Sequence, residues 1–196
     1  MPSGPPAEAQ AALRVEQARI WEQESMWLGL SLFYVGAVLF LNGLWMLGRI
    51  ADKEIWVINI FTGVVSLCIG LASIFGPEAN AETVKSGALT LLFAFTYLWV
   101  AFNRFTGADG RGLGWFSLFV AVTAVPVALD TLAGASTGLD WWMGVNWAAW
   151  AVLWALFFVL LALRKPIDRF TGVLCIAQGI LTGWVPGYLI LAGRLG

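Results

Sequence analysis

An all-α integral membrane protein with six transmembrane helices is the fold class this sequence predicts. Three observations predict it. Of 196 residues, 60% are hydrophobic and 12% charged, where a soluble domain runs at about 45–50% and about 25%. Six windows carry no Asp, Glu, Lys or Arg: 27–48, 55–77, 86–103, 112–129, 141–163 and 170–193. Each is long enough, at about 18 residues or more, to cross a ~30 Å hydrocarbon core as a helix. The third observation is a charge bias between alternate loops, seven basic residues against one.

Residues 1–26 stand apart from the six-helix domain at 27–196. After a flexible MPSGPP, the stretch AEAQAALRVEQARIWEQES reads as a polar, moderately amphipathic helix of strong helix formers. It lacks the basic start and short apolar core of a signal peptide. A surface helix at a subunit contact and a solvated tail are both compatible with it.

Helix one, 27–48, places Leu28, Leu32, Val35, Leu39 and Asn42 on one face, at steps of four and three. Helix two, 55–77, opens with INIFTGV. Helix three, 86–103, carries Phe95, Trp99 and Phe102 at helical spacing, and helix four, 112–129, contains Pro126. Helix five, 141–163, contains NWAAWAVLWALFF, whose Trp147, Trp150 and Trp154 form one stripe. Each buried indole brings an N–H that needs a partner. Helix six, 170–193, sets Gln178 and Thr182 one turn apart. A buried amide costs several kcal/mol in hydrocarbon unless bonded, so Asn42 and Gln178 should face a partner or a polar solute.

The loops after helices one, three and five carry Arg49, Lys53, Arg104, Arg111, Arg164, Lys165 and Arg169; those after two and four carry only Lys85. Positive charge stays cytoplasmic, which sets both termini outside. A faint repeat also runs through the chain. INIFTGV, LGWFSLF and IDRFTGV put Phe61, Phe116 and Phe170 at the starts of the even helices, 55 and then 54 residues apart. Three two-helix hairpins inserted the same way round relate by an axis along the membrane normal and leave a central passage in each protomer.

Several function classes are excluded or disfavoured. A net charge of −1 with no basic stripe argues against a nucleic-acid partner. There is no histidine, and Cys68 and Cys175 stand at neither metal-ligand nor CxxC spacing. No phosphate-binding loop, nucleophile–base pair or membrane-depth acid is present. The sequence therefore predicts no enzyme, no metal and no cofactor. Aromatic stripes with sparse uncharged polar groups suit a small, planar, neutral solute that stacks on rings and takes a few hydrogen bonds. Ions are hindered there because they cannot be desolvated cheaply. A passive facilitator leads; a proton-coupled carrier and a non-transporting accessory subunit are the competing readings.

Four stretches resemble the bacterial AmiS/UreI group of urea and short-chain amide channels. They are WLGLSLFYVGAVLFLNGL (27–44), LLFAFTYLWVAFN (91–103), WFSLFVAV (115–122) with Pro126, and WAAWAVLW (147–154) followed by QGILTGWVP (178–186). The resemblance implies a six-helix protomer in the bacterial inner membrane, a homo-hexameric ring and one solute path per protomer. By position it puts the pore lining on Leu28, Leu32, Val35, Leu39, Asn42, Phe95, Trp99, Trp147, Trp150, Leu153, Trp154 and Gln178. It also points to a cytoplasmic amidase or urease as the partner enzyme consuming the solute. The acid-gated urea channels of the group carry glutamate where this chain has Gln178 and tyrosine where it has Trp99. Both departures favour aliphatic amides such as acetamide over urea. Their gating goes with long, histidine-bearing outer loops, whereas here PEANAETVK (77–85) is short and histidine is absent, so no acid gate is expected.

Overall fold

The computed structural model describes residues 7–195, apart from the side chains at 7, 13, 17, 18, 20 and 21. The expected flexible start, MPSGPP, lies outside them. Six membrane-length helical spans are present among the described residues. Helix α1 runs unbroken from Ala7 to Met46, 40 residues, so the expected boundary at residue 26 is not a break in structure. Its polar first half projects past the span beginning at Glu22. There Arg19 pairs with Glu16 and with Glu78, far along the chain, each at 2.7 Å.

Local chemistry sets the remaining ends. Helix α2 (Ile55–Phe75) leads to α3 (Ala81–Thr106), whose N-cap Asn80 accepts from the backbone N–H groups of Glu82 and Thr83. Thr83 returns the bond to the Asn80 backbone, so two orphan donors are satisfied reciprocally. Gly107, at φ 71°, ends α3 in the left-handed conformation that glycine adopts without a Cβ penalty. Helix α4 (Arg111–Ala133) is followed by α5 (Gly138–Phe157), capped by Thr137 and Asp140 in the same reciprocal manner. A π-helical turn, Phe158–Ala162, completes the fifth span. The sixth is composite: α6 (Asp168–Gln178), a π turn (Gly179–Trp184) and α7 (Val185–Leu191).

The closest antiparallel packing joins α2 to α3, α4 to α5, and α1 to the whole sixth span. Between helices in lipid, close fit replaces the hydrophobic drive, and small residues permit it. Gly29, Gly36 and Gly43 recur every seventh residue on α1 and meet the sixth span along its length. A Cβ built on Gly36 would stand 2.2 Å from the Trp184 nitrogen, and one on Gly183 would stand 2.5 Å from Gly36 Cα. Nothing larger than hydrogen fits at that crossing. The hydroxyls of the repeat, Thr62, Ser117 and Thr171, are all sealed, whereas Phe61 and Phe170 are each 62% exposed. The repeat thus marks which face of each even helix turns inward, and α1, α3 and α5 line the centre.

Candidate functional site

Two cavities, each of about 300 Å³, enter the bundle from opposite ends. The one at the end bearing the α2–α3 and α4–α5 loops, termed the outer cavity, is walled by Leu28, Leu32 and Val35 of α1, Leu89 of α3, and Met143 and Trp147 of α5, with Glu82, Lys85 and Asp130 at its rim. The inner one is walled by Leu39 and Asn42 of α1, Thr96 and Tyr97 of α3, and Leu153 and Trp154 of α5. Phe93 and Trp150 line both. They are the partition between the two spaces.

That partition is a knot of rings. Phe93 meets Trp154, Trp150 and Trp147 at centroid distances of 4.8, 4.9 and 5.8 Å, each edge to face. The aromatic quadrupole favours this arrangement over a flat sandwich. Helix α5 presents the three indoles because spacings of three and four return side chains to one face. The Trp150 N–H donates to Thr182 Oγ1 at 2.9 Å, and that hydroxyl donates to the Gln178 carbonyl at 2.7 Å. The N–H groups of Trp147 and Trp154 have no partner among the described residues, and neither nitrogen is sealed. One indole is braced by the protein; the other two, Trp154 on one cavity and Trp147 on the other, are not.

Asn42 is satisfied across helices. It exchanges amide hydrogen bonds with Asn59 of α2 at 3.1 and 2.7 Å, and Asn59 also donates to the Ile55 carbonyl. A buried amide in an apolar wall is thereby accommodated without a charge.

The inner mouth is built differently. The Arg104 guanidinium lies 5.1 Å from the Trp45 ring centroid and 3.6 Å from Asp52, to which the Trp45 indole also donates. Asp109 takes the backbone N–H of Arg111 at 3.0 Å, its guanidinium at 2.7 Å, and Arg164 of the α5–α6 loop at 3.0 Å. The Arg111 backbone bond, then its guanidinium and the Arg164 charge, hold the Asp109 carboxyl below its ordinary range. Arg164 itself sits at φ 55°, an uncommon conformation for a residue with a Cβ. Among the described residues no cluster of side chains is arranged to hold a metal.

Residues 27–194 match the model of the AmiS/UreI family of transporters. The chain belongs to the AmiS/UreI family. It is 40% identical over 167 residues to a protein of Mycolicibacterium smegmatis described as an amidate substrates transporter, covering 85% of this chain and 77% of that one. It is 36% identical over 190 residues to the acid-activated urea channel of Helicobacter pylori, covering 83% of this chain and 96% of the channel. The cryo-EM structure of the Helicobacter pylori urea channel in its closed state matches with a TM-score of 0.76 at 36% identity, over 86% of this chain and 100% of that one. Its crystal structure gives 0.75 at 37% identity, over 86% and 99%. The polar first part of α1 lies outside the AmiS/UreI match.

Nine of the residues singled out from the sequence come together on the two cavities: Leu28, Leu32, Val35, Leu39, Asn42, Trp147, Trp150, Leu153 and Trp154. Three do not. Phe95 and Trp99 lie on the outer surface of the bundle, 45% and 39% exposed, Trp99 packed on Phe116 of α4. Two residues of helix turn a side chain through about 200°, so choosing Phe95 over Phe93 selects the opposite face. An inference about solute preference from a tyrosine at the Trp99 position therefore loses its footing; the phenol in the inner cavity is Tyr97. Gln178 lines neither cavity. Its Nε2 donates to the Ala149 carbonyl at 2.9 Å, bracing α5 from behind, and its buried Oε1 has no partner among the described residues.

The missed wall of α3 was readable. Counting 54 residues either way from Phe93 reaches Leu39 and Trp147. Likewise Val35, Leu89 and Met143, or Asn42, Thr96 and Trp150, or Met46, Val100 and Trp154, are 54 apart. Every one of these residues lines a cavity, each set in successive positions from the outer end inward. The repeat seen at the even helices thus continues into the lining helices, and it picks the correct face of α3.

Proposed function

We propose that the protein is a passive channel for small neutral amides, with acetamide-like aliphatic amides or urea as solute, and that it performs no catalysis. The observation carrying this reading is the shared wall of Phe93 and Trp150 between two cavities whose charged groups stay at the outer rims. A flat amide entering the junction meets ring faces and edges, and the indole N–H groups of Trp147 and Trp154 can bond its carbonyl. An ion meets no compensating charge at mid-depth and would have to shed its water unaided. The names of the relatives, an amidate transporter and a urea channel, agree with this solute class.

The further parts of the reading are a homo-hexamer in the bacterial inner membrane, termini outside, and a cytoplasmic amidase or urease consuming the solute. Exposed apolar faces, with Phe102, Phe105 and Phe119 among them, fit either lipid or a neighbouring protomer. Native mass spectrometry of the detergent-solubilised protein should give six copies. The absence of histidine and the short outer loops support permeation without an acid gate.

Stopped-flow swelling of proteoliposomes tests the reading. Acetamide and urea should pass faster than glycerol, at rates unaffected by a proton ionophore and nearly constant between pH 5 and 7.5. Loss of flux on collapsing the proton gradient would establish coupled transport instead.

A further inference from the structure

We infer that Thr182 is a positioning residue for solute selection: the π turn of the sixth span exists to hold the Trp150 ring across the junction. Three side chains on successive turns of α5 donate to this one turn. The Trp142 indole reaches the Leu181 carbonyl at 3.1 Å, the Asn146 amide reaches the Thr182 carbonyl at 3.1 Å, and the Trp150 indole reaches the Thr182 hydroxyl at 2.9 Å. All lie on the fifth and sixth membrane-length spans, and within hydrocarbon an unpaired polar group is costly.

The turn offers those acceptors for a covalent reason. Pro186 has no N–H, so it can serve neither the carbonyl four residues back, Thr182, nor the one five back, Leu181. The Val185 N–H bonds to Ile180 in the wider register. Side chains of α5 fill the gap, and π turns inside helices recur at functional places. The turn is also clamped from its other side, where Gly183 and Gly179 press on α1 around Gly36. It therefore fixes α5 relative to α1, and it controls Trp150 through one hydroxyl. Thr182 itself lines neither cavity, so its influence on solute passes through the ring.

This rests on the channel reading, and the experiment separates the two. Thr182→Val keeps the shape and removes the hydroxyl; Thr182→Ser restores it. In proteoliposomes the acetamide-to-glycerol permeability ratio should fall about fivefold in Thr182→Val, the weight of one neutral hydrogen bond, and return in Thr182→Ser. In a Trp150→Phe background, which has no indole donor, Thr182→Val should change nothing further. Independently of flux, protein labelled with 5-fluorotryptophan should show the Trp150 fluorine resonance, assigned by its loss in Trp150→Phe, shifted or broadened in Thr182→Val. Thr182→Cys, a poor acceptor of similar size, gives the same readings where the valine variant does not assemble. An unchanged ratio and resonance in an assembled hydroxyl-less variant would overturn the inference, as would an equal fall in the Trp150→Phe background. Absence of selective flux in the wild type would instead overturn the channel reading, while the fluorine signal would still judge the contact.

Discussion

The ring junction at mid-depth and the charged collar at the inner mouth both stand on the path we propose, and they are built by opposite physics. At the junction, Phe93 and three indoles meet in edge-to-face contacts, and one of the indoles, Trp150, is held by a buried neutral hydrogen bond to Thr182. At the collar, a half-buried Arg104 pairs with exposed Asp52, and Arg111 and Arg164 share Asp109 in exposed ion pairs. Sealed dipoles are directional and unscreened, so geometry there becomes selectivity. Exposed charges are screened beyond about 8–10 Å at ordinary salt and contribute little to stability. The collar can tether loops, but it cannot choose between two neutral solutes.

The severest way to break the contrast is to unseat the junction from behind. Gly36→Leu would drive a side chain into the Trp184 backbone, 2.2 Å from where its Cβ must stand. No assembled protein should be recovered by size-exclusion chromatography, whereas Gly138→Ala at the start of α5, where a Cβ meets nothing within 4 Å, should still assemble.

A smaller break tests which face of α3 selects. Phe93→Ala removes the ring that touches all three indoles and joins the two cavities. The acetamide-to-glycerol ratio should fall by at least about fivefold, given roughly 0.5–1.5 kcal/mol for each aromatic pair beyond its area. Phe95→Ala, on the exposed face, should leave that ratio unchanged. Swelling rates in the two variants measure both outcomes, and the reverse pattern would return the lining to the Phe95 stripe.

The smallest effect belongs to the collar. Asp109 has a carboxyl pKa lowered on folding, so its contribution is in place above the unfolded pKa of about 3.9 and is lost as pH falls through the lower folded value. Between pH 5 and 7.5 it stays ionised in both states. Asp109→Asn should therefore leave the acetamide-to-glycerol ratio at its wild-type value across that range and in high salt. A change in selectivity would make the collar, not the rings, the filter.

Much of this was legible before folding. The six uncharged windows became six spans, because hydrocarbon requires about 18 apolar residues and a backbone bonded to itself, and both conditions are local. The Trp147–Trp150–Trp154 stripe was legible too, since bulk and period leave one arrangement. Helix α3 was harder. It is apolar on several sides, and Phe93–Tyr97–Val100 and Phe95–Trp99–Phe102 are equally good stripes by spacing. Only correspondence with Leu39 and Trp147 at 54 residues distinguishes them.

By itself, then, the sequence determined the helical class, the number of the spans, the repeat and the residues of α1 and α5 that face the cavities. Tertiary structure alone decided the partners of the polar groups. Asn42 is satisfied by Asn59, 17 residues away. Gln178 turns to the Ala149 carbonyl instead of the path, and Trp150 is held by Thr182, 32 residues on. Periodicity fixes the direction of a side chain about its own helix axis; which neighbour stands in that direction depends on how the helices cross. Here Gly36 and Gly183 set that crossing.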